Sequence, residues 1–260
     1  MIKISLIAIA SILMFGACEK VIQLDLKDAE SQYVVDAMVS NISEFNYVKL
    51  SRSATFYNGS DFELVEGANI TITDGNGVVI PLFETAKGYY SNPLMLGQSY
   101  MTYTLKIDID GELIEGSTYM PGNSSIDSVV TLQNQGGFFG TDYTSFAYWS
   151  DKANEKNYYR LRAYRNDSIQ TNIYITEDNL YNGIPTGTPL FSTSYKAGDS
   201  AIIELMEIDE KTYKYWLSLD QISNPQNQPA APGNPESNMS NGALGYFGAY
   251  NMDRDTVLVE

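Results

Sequence analysis

The residue types of this chain remove most of the usual catalytic and transition-metal chemistry and leave carboxylate, lysine and tyrosine chemistry possible. The sequence holds 32 acidic and 16 basic residues, one cysteine and no histidine. Without histidine there is no Ser-His-Asp or Cys-His relay and no imidazole-bound zinc. Asp25, Asp28, Glu30 and Asp36 could be imagined as paired carboxylates of a glycoside hydrolase, which must face each other across a cleft. With so many acidic residues, solvated surface charge is the preferred reading. Asp108, Asp110 and Glu112 alternate as oxygen ligands of a calcium loop would, but the EF-hand spacing and its closing glutamate are absent. Asp110-Gly111 separates two runs of strand character, so a hairpin turn is expected, and Asp74-Gly75-Asn76-Gly77 is read the same way. No metal or other cofactor is expected.

The remaining candidates are aromatic. Tyr89-Tyr90, Phe138-Phe139, Tyr143, Phe146, Tyr148-Trp149, Tyr158-Tyr159 and the stretch Tyr213 to Trp216 suit sugar stacking or an interface. They equally suit the core of half-buried strands, which is preferred. The net charge of −16 is spread along the chain and forms no acidic tail. It repels phosphate backbones and anionic membrane surfaces, so a nucleic-acid partner is not expected.

The sole cysteine has a definite context. Lys3 precedes an apolar run from Ile4 to Phe15, broken only by Ser5 and Ser11, and Gly16-Ala17 follow. Such a run is too short to span a bilayer, which takes about 20 helical residues. Charge, apolar run and small residues together have the form of an export signal. Phe15-Gly16-Ala17-Cys18 resembles the lipobox of bacterial lipoproteins, with Phe15 where leucine is usual. The expectation is a signal peptide over 1–17, cleavage before Cys18, and lipid on Cys18. Each buried methylene of an acyl chain contributes about 0.8 kcal/mol to such an anchor.

The elements that must position the rest are mostly strands. A polar tether is expected over 18–32. Alternating or β-branched runs at 33–39, 47–52, 68–73, 78–82, 100–109 and 112–119, with hairpin turns between them, predict an immunoglobulin-like β-sandwich over 33–121. A second β-rich domain is expected over 122–260, with strands at 126–132, 144–149, 157–164, 170–176 and 200–206. Loops are expected at 134–141 and 182–189. One helix is expected near 209–222, capped by Asp209 and stopped by Asn224-Pro225. The end of the chain should give two strands, 242–250 and 256–259. The fold class is therefore all-β with one short helix.

Between helix and closing strand, the segment 224–241 carries Asn224, Pro225, Pro229, Pro232 and Pro235, no aromatic residue and one charge, Glu236. Proline lowers the entropy lost when a partner orders such a loop, so partner contact is one reading. A solvent-exposed connector is the other, and both stay open.

Several of these runs occur together in a recognisable order. Tyr33-Val34-Val35-Asp36-Ala37 follows the lipobox, then Val48-Lys49-Leu50-Ser51-Arg52-Ser53, Gly67-Ala68-Asn69-Ile70-Thr71-Ile72, Gly88-Tyr89-Tyr90 and Tyr103-Thr104-Leu105-Lys106-Ile107. Asn238-Met239-Ser240-Asn241-Gly242-Ala243-Leu244-Gly245-Tyr246-Phe247-Gly248-Ala249-Tyr250 closes the set. Together they resemble domain-of-unknown-function family 4249, lipoproteins of the Bacteroidetes. The resemblance implies no catalytic residue. It implies anchoring at the outer membrane, on either face, and association with TonB-dependent transporters. The functional expectation is a non-enzymatic accessory or ligand-capturing partner of such a transporter. A glycan- or peptide-binding surface module acting without a transporter is the alternative, and a carboxylate-based hydrolase comes last.

Overall fold

The computed structural model describes residues 31–54, 62–134, 142–223 and 233–260. The expected alternation is visible at once in β7 (Met101–Ile109), where Tyr103, Leu105, Ile107 and Ile109 point inward and the residues between them outward. β8 (Glu112–Met120) returns beside it through Asp110 and Gly111, whose φ values of 53° and 80° are those of a tight hairpin. The calcium-loop candidate is thus a turn, and Asp110 accepts a hydrogen bond from the Tyr33 hydroxyl at 2.8 Å. The Asp74 carboxylate likewise closes its own turn, accepting from the amides of Asn76 and Val78.

One long sheet runs through the molecule. β1 (Tyr33–Ser40), β2 (Tyr47–Arg52), β6 (Tyr89–Ser91), β5 (Val79–Ala86), β4 (Asn69–Asp74), β7 and β8 follow one another in it. This part wraps round an apolar core that includes Val35, Val48, Leu50, Ile70, Ile72, Leu105 and Phe247. β8 comes back to the last strand, β16 (Leu244–Leu258), where the amide of Ala249 donates to Thr118 Oγ1. Beyond β16 the sheet continues through β15 (Ser200–Ile208) and β11 (Tyr158–Arg165). A separate three-stranded sheet of β9 (Ile126–Gln133), β10 (Tyr143–Ser150) and β14 (Pro185–Pro189) covers one face there, around Trp149, Tyr159, Leu161, Ile203 and Leu205. The helix α1 (Glu210–Ser223) covers the other face, so that Tyr213, Tyr215 and Trp216 lie on Met206, Tyr246 and Tyr250. Covered on both faces, β15 is buried from Ala201 to Ile208. The fold is all-β, as expected, with one α-helix among the described residues, and Asp209 caps that helix by accepting the amide of Thr212 at 2.8 Å.

The boundary expected at 121–122 falls at the step from β8 to β9, yet residues 31–260 form one compact unit. The cause is β16. The two strands expected at 242–250 and 256–259 are one strand of 15 residues. Its first half lies parallel to β1 and its second half antiparallel to β15, which joins the N-terminal lobe to the second one. Part of the expected loop 182–189 is also strand: β14 pairs with β10 from Pro185 to Pro189 despite its prolines, at the edge of a small sheet. The strand expected at 170–176 is reduced to β13 (Tyr174–Glu177), beside β11. Most of the expected 134–141 loop lies outside the described residues.

The close approach of β16 to β1 rests on one glycine. Gly245 stands opposite Val35 with φ +88°, and a Cβ there would fall on the Val35 carbonyl oxygen. Nothing short of moving one strand relieves that clash, and the conformation itself resists side chains. Gly245→Ala should therefore lower unfolding stability by roughly 4 kcal/mol or leave the protein unfolded. Gly233→Ala, at a glycine with open space around it, should stay within about 0.5 kcal/mol. Urea denaturation of both variants measures this, and equal midpoints would refute the stated role of Gly245.

Candidate functional site

Two glutamates lie fully buried on β15, on opposite faces of the same strand. Glu204 faces the helix side. Arg162 Nε donates to its Oε2 at 2.6 Å, Tyr164 donates to the same oxygen at 3.1 Å, and Arg254 Nε donates to Oε1 at 3.1 Å. Burial opposes charge on Arg162, but Glu204 outweighs that and holds the guanidinium above its usual range. Glu207 faces the other way. It accepts from Ser124 Oγ at 2.6 Å, Lys152 Nζ at 2.8 Å and Asn157 Nδ2 at 2.8 Å. Every oxygen of the two carboxylates thus has a donor, as a buried charge requires. Both act as cross-links between strands rather than as free proton acceptors. The sequence carried a signal for them, namely two charges inside an otherwise apolar run, Ala201 to Ile208, and such charges need partners. Glu204→Ala would leave two guanidinium groups facing each other without a counter-charge. It should cost about 3–5 kcal/mol in urea denaturation, and a loss below about 1 kcal/mol would contradict this account of the site.

Of the residues singled out in the sequence, Cys18, Asn224, Pro225, Pro229 and Pro232 lie outside the described residues, as do Asp25, Asp28 and Glu30. Pro235 is described and half-buried. Just after it the chain is held to α1, where the Glu236 amide donates to Ser218 Oγ at 3.0 Å. Asp36 accepts a hydrogen bond from the Tyr47 hydroxyl at 3.0 Å. Among the described residues no group of three or more His, Cys, Asp or Glu side chains is placed to hold a metal.

Phe138 and Phe139 lie outside the described residues, and most of the other aromatic candidates belong to the core. Trp149, Tyr90 and Tyr159 are fully buried, with Trp149 and Tyr159 in ring contact at 5.3 Å. Tyr215, Trp216 and Tyr246 stack between helix and sheet, and the Arg160 guanidinium lies 3.5 Å from the Trp216 ring. Burial pushes the Tyr215 hydroxyl up to about 12.

Two surface features stand apart from the core. The first is apolar. Val79, Pro81 and Phe83 alternate outward along β5, with Val79 59% and Phe83 60% exposed. Asn92 ties the following loop to this strand by donating to the Pro81 carbonyl at 2.8 Å, and Leu94 in that loop is 91% exposed. In the sequence, the signature of this face is an apolar run at odd positions that passes through a proline. The second is a cleft of about 170 Å³ where the start of β7, the end of β8, the Glu155–Tyr158 stretch and the start of α1 meet.

Among the described residues these features define a class, a two-lobed all-β protein whose lobes share a strand and whose one helix is capped against the first lobe. The chain belongs to the family described as domain of unknown function (DUF4249), which matches residues 19–256. No curated protein matches the chain. Among solved structures, a DUF4785 family protein from Legionella pneumophila is similar at 10% identity with a TM-score of 0.24, covering 67% of this chain and 50% of that protein. The present chain thus spans about half the length of that protein. The chicken interferon gamma receptor alpha chain is similar at 8% identity with a TM-score of 0.22, covering 68% of this chain and 88% of the receptor chain. At these scores neither likeness carries a functional argument.

Proposed function

We propose that this protein is a lipid-tethered accessory of the bacterial outer membrane that binds a TonB-dependent transporter and performs no catalysis of its own. The observation that carries this reading is the exposed apolar face of Val79, Pro81, Phe83 and Leu94. Contiguous exposed apolar surface on a soluble domain marks protein or membrane contact. The lipobox-like sequence at Cys18 supports the tether. A chain from Cys18 to Tyr33 reaches at most roughly 50 Å, which keeps the lobes within range of a protein in the same membrane. The segment 224–241 is a second proposed contact, and in its described part the Glu236 amide donates to Ser218 Oγ of α1.

Solubilised outer membrane provides the test. Wild-type protein should incorporate labelled fatty acid and co-purify with a β-barrel transporter. Cys18→Ser should block both lipidation and signal removal. The double change Phe83→Glu/Leu94→Glu should reduce transporter recovery at least about tenfold, since it places charge at the centre of the contact. Deletion of 226–232 should weaken recovery while leaving thermal stability nearly unchanged. Recovery of no transporter with wild-type protein under any growth condition would overturn the proposal.

A further inference from the structure

We infer that Lys152 and Asn157 become joined through their side chains by an amide bond, formed within the folded chain with Glu207 as the proton carrier. The three groups meet on one carboxylate. Lys152 Nζ donates to Glu207 Oε2 and Asn157 Nδ2 to Glu207 Oε1, each at 2.8 Å. A nucleophile and an acyl group are thus held against the same acid–base group, an arrangement that makes a slow bimolecular reaction intramolecular. Glu204 on the same strand has no such company, because its cationic partners are arginines, which stay charged.

Burial favours the reactive protonation states. The Glu207 side chain is fully buried, Asn157 is 4% exposed and the Lys152 side chain 24%. The Lys152 ammonium is enclosed by the backbone, since a Cβ on Gly122 would fall on Nζ, and the Tyr100 ring centre lies 6.0 Å away. Poor solvation disfavours an ammonium–carboxylate pair relative to a neutral amine and acid, which differ from it by one proton moved along the hydrogen bond. Asn157 is fixed by its backbone: its amide donates to Asp178 Oδ2 at 3.1 Å, and its carbonyl accepts the Asp178 amide at 3.2 Å. Its Oδ1 is buried without a donor. Turned over, the side-chain amide presents that oxygen to the acid proton of Glu207, which polarises the carbonyl for attack.

The step balances without a co-reactant. Neutral Lys152 Nζ attacks Asn157 Cγ, the Nζ–Cγ bond forms and the Cγ–Nδ2 bond breaks. Nζ gives up two of its three original protons by way of Glu207. One departs with Nδ2 as ammonia, and the other stays on Glu207, where burial suits the neutral acid. The reaction happens once per chain, so it is a self-modification and not turnover. It depends on neither the lipid tether nor the transporter.

Peptide mapping of the full-length protein tests this. Without the link, trypsin cuts after Lys152 and Lys156 and releases Asn157–Arg160 as a free peptide. With it, Lys152 resists cleavage, and residues 107–156 carry Asn157–Arg160 as a branch, about 17 Da lighter than the two peptides summed. Tandem mass spectrometry of wild-type protein should find the branched peptide as the main form. Lys152→Arg, which keeps the charge, should release free Asn157–Arg160, and Glu207→Gln should leave the link unmade. Free Asn157–Arg160 as the main wild-type product would overturn the inference whether or not the variants fold. So would the same mass loss without a branch, which marks a cyclised asparagine, or a branch that persists in Glu207→Gln.

Discussion

A strand presents a row of peptide groups along each edge, and in β16 those rows have to be satisfied by different partners over its length. From Val34↔Leu244 to Ser40↔Tyr250 one row is met by β1, and from Asn251 to Leu258 one row is met by β15. Where no strand lies alongside, asparagine side chains take the place of a neighbour. Asn238 donates to the Phe247 carbonyl and accepts its amide, and Asn41 does the same for Met252. The Asn238 fork lies within the stretch paired with β1, and the Asn41 fork marks the place where β1 stops pairing with β16. Asn41 directly follows the end of β1, so the first lobe hands the strand over to the second without leaving its backbone unpaired.

The rest of the architecture follows from this shared strand. Because β15 sits beside it with α1 on one face and β9–β10–β14 on the other, β15 has no solvent face, and its two glutamates must be neutralised inside the protein. Their partners come from several elements: Arg162 from β11, Arg254 from β16, Ser124 from the β8–β9 connection, and Lys152 and Asn157 from either side of the β10–β11 loop. The helix start is tied in as well. Asp209 accepts from Thr118 Oγ1 and the Tyr119 amide of β8 while capping α1, and Thr118 Oγ1 in turn accepts from Ala249 of β16. A single hydroxyl thus links helix, first lobe and shared strand, and the tyrosine-lined cleft opens beside that junction.

Much of this was legible in the sequence where a local rule decides the outcome. The alternation of Tyr47–Arg52, the turn at Asp110-Gly111 and the cap at Asp209 need only near neighbours, and each forms as expected. What depends on distant segments was not legible. Gly245 and Gly248 make 242–250 read as a short terminal strand, and Asp253, Arg254 and Asp255 break its apolar pattern. Only the pairing with β15, which brings Arg254 onto Glu204, shows that the strand continues. That residues 31–260 form one compact unit across 121–122 was not legible for the same reason, since the residues that join the lobes lie at the far end of the chain. Pro185 and Pro189 argued for a loop, but β14 occupies a sheet edge, where missing N–H donors matter least. For the site, residue types identified what was excluded, while the apolar face of β5 and the cleft needed the fold to bring them together.

The central claim is that the shared strand makes the two lobes one cooperative unit. Native-state hydrogen exchange measures this most directly, by comparing the slowest amides of β1 and β7 with those of β10 and β15 as denaturant is raised. The account predicts that both sets converge on the same opening free energy and the same denaturant dependence. A lower free energy for β10 and β15, with β1 and β7 still protected, would show that the lobes unfold separately and would contradict it.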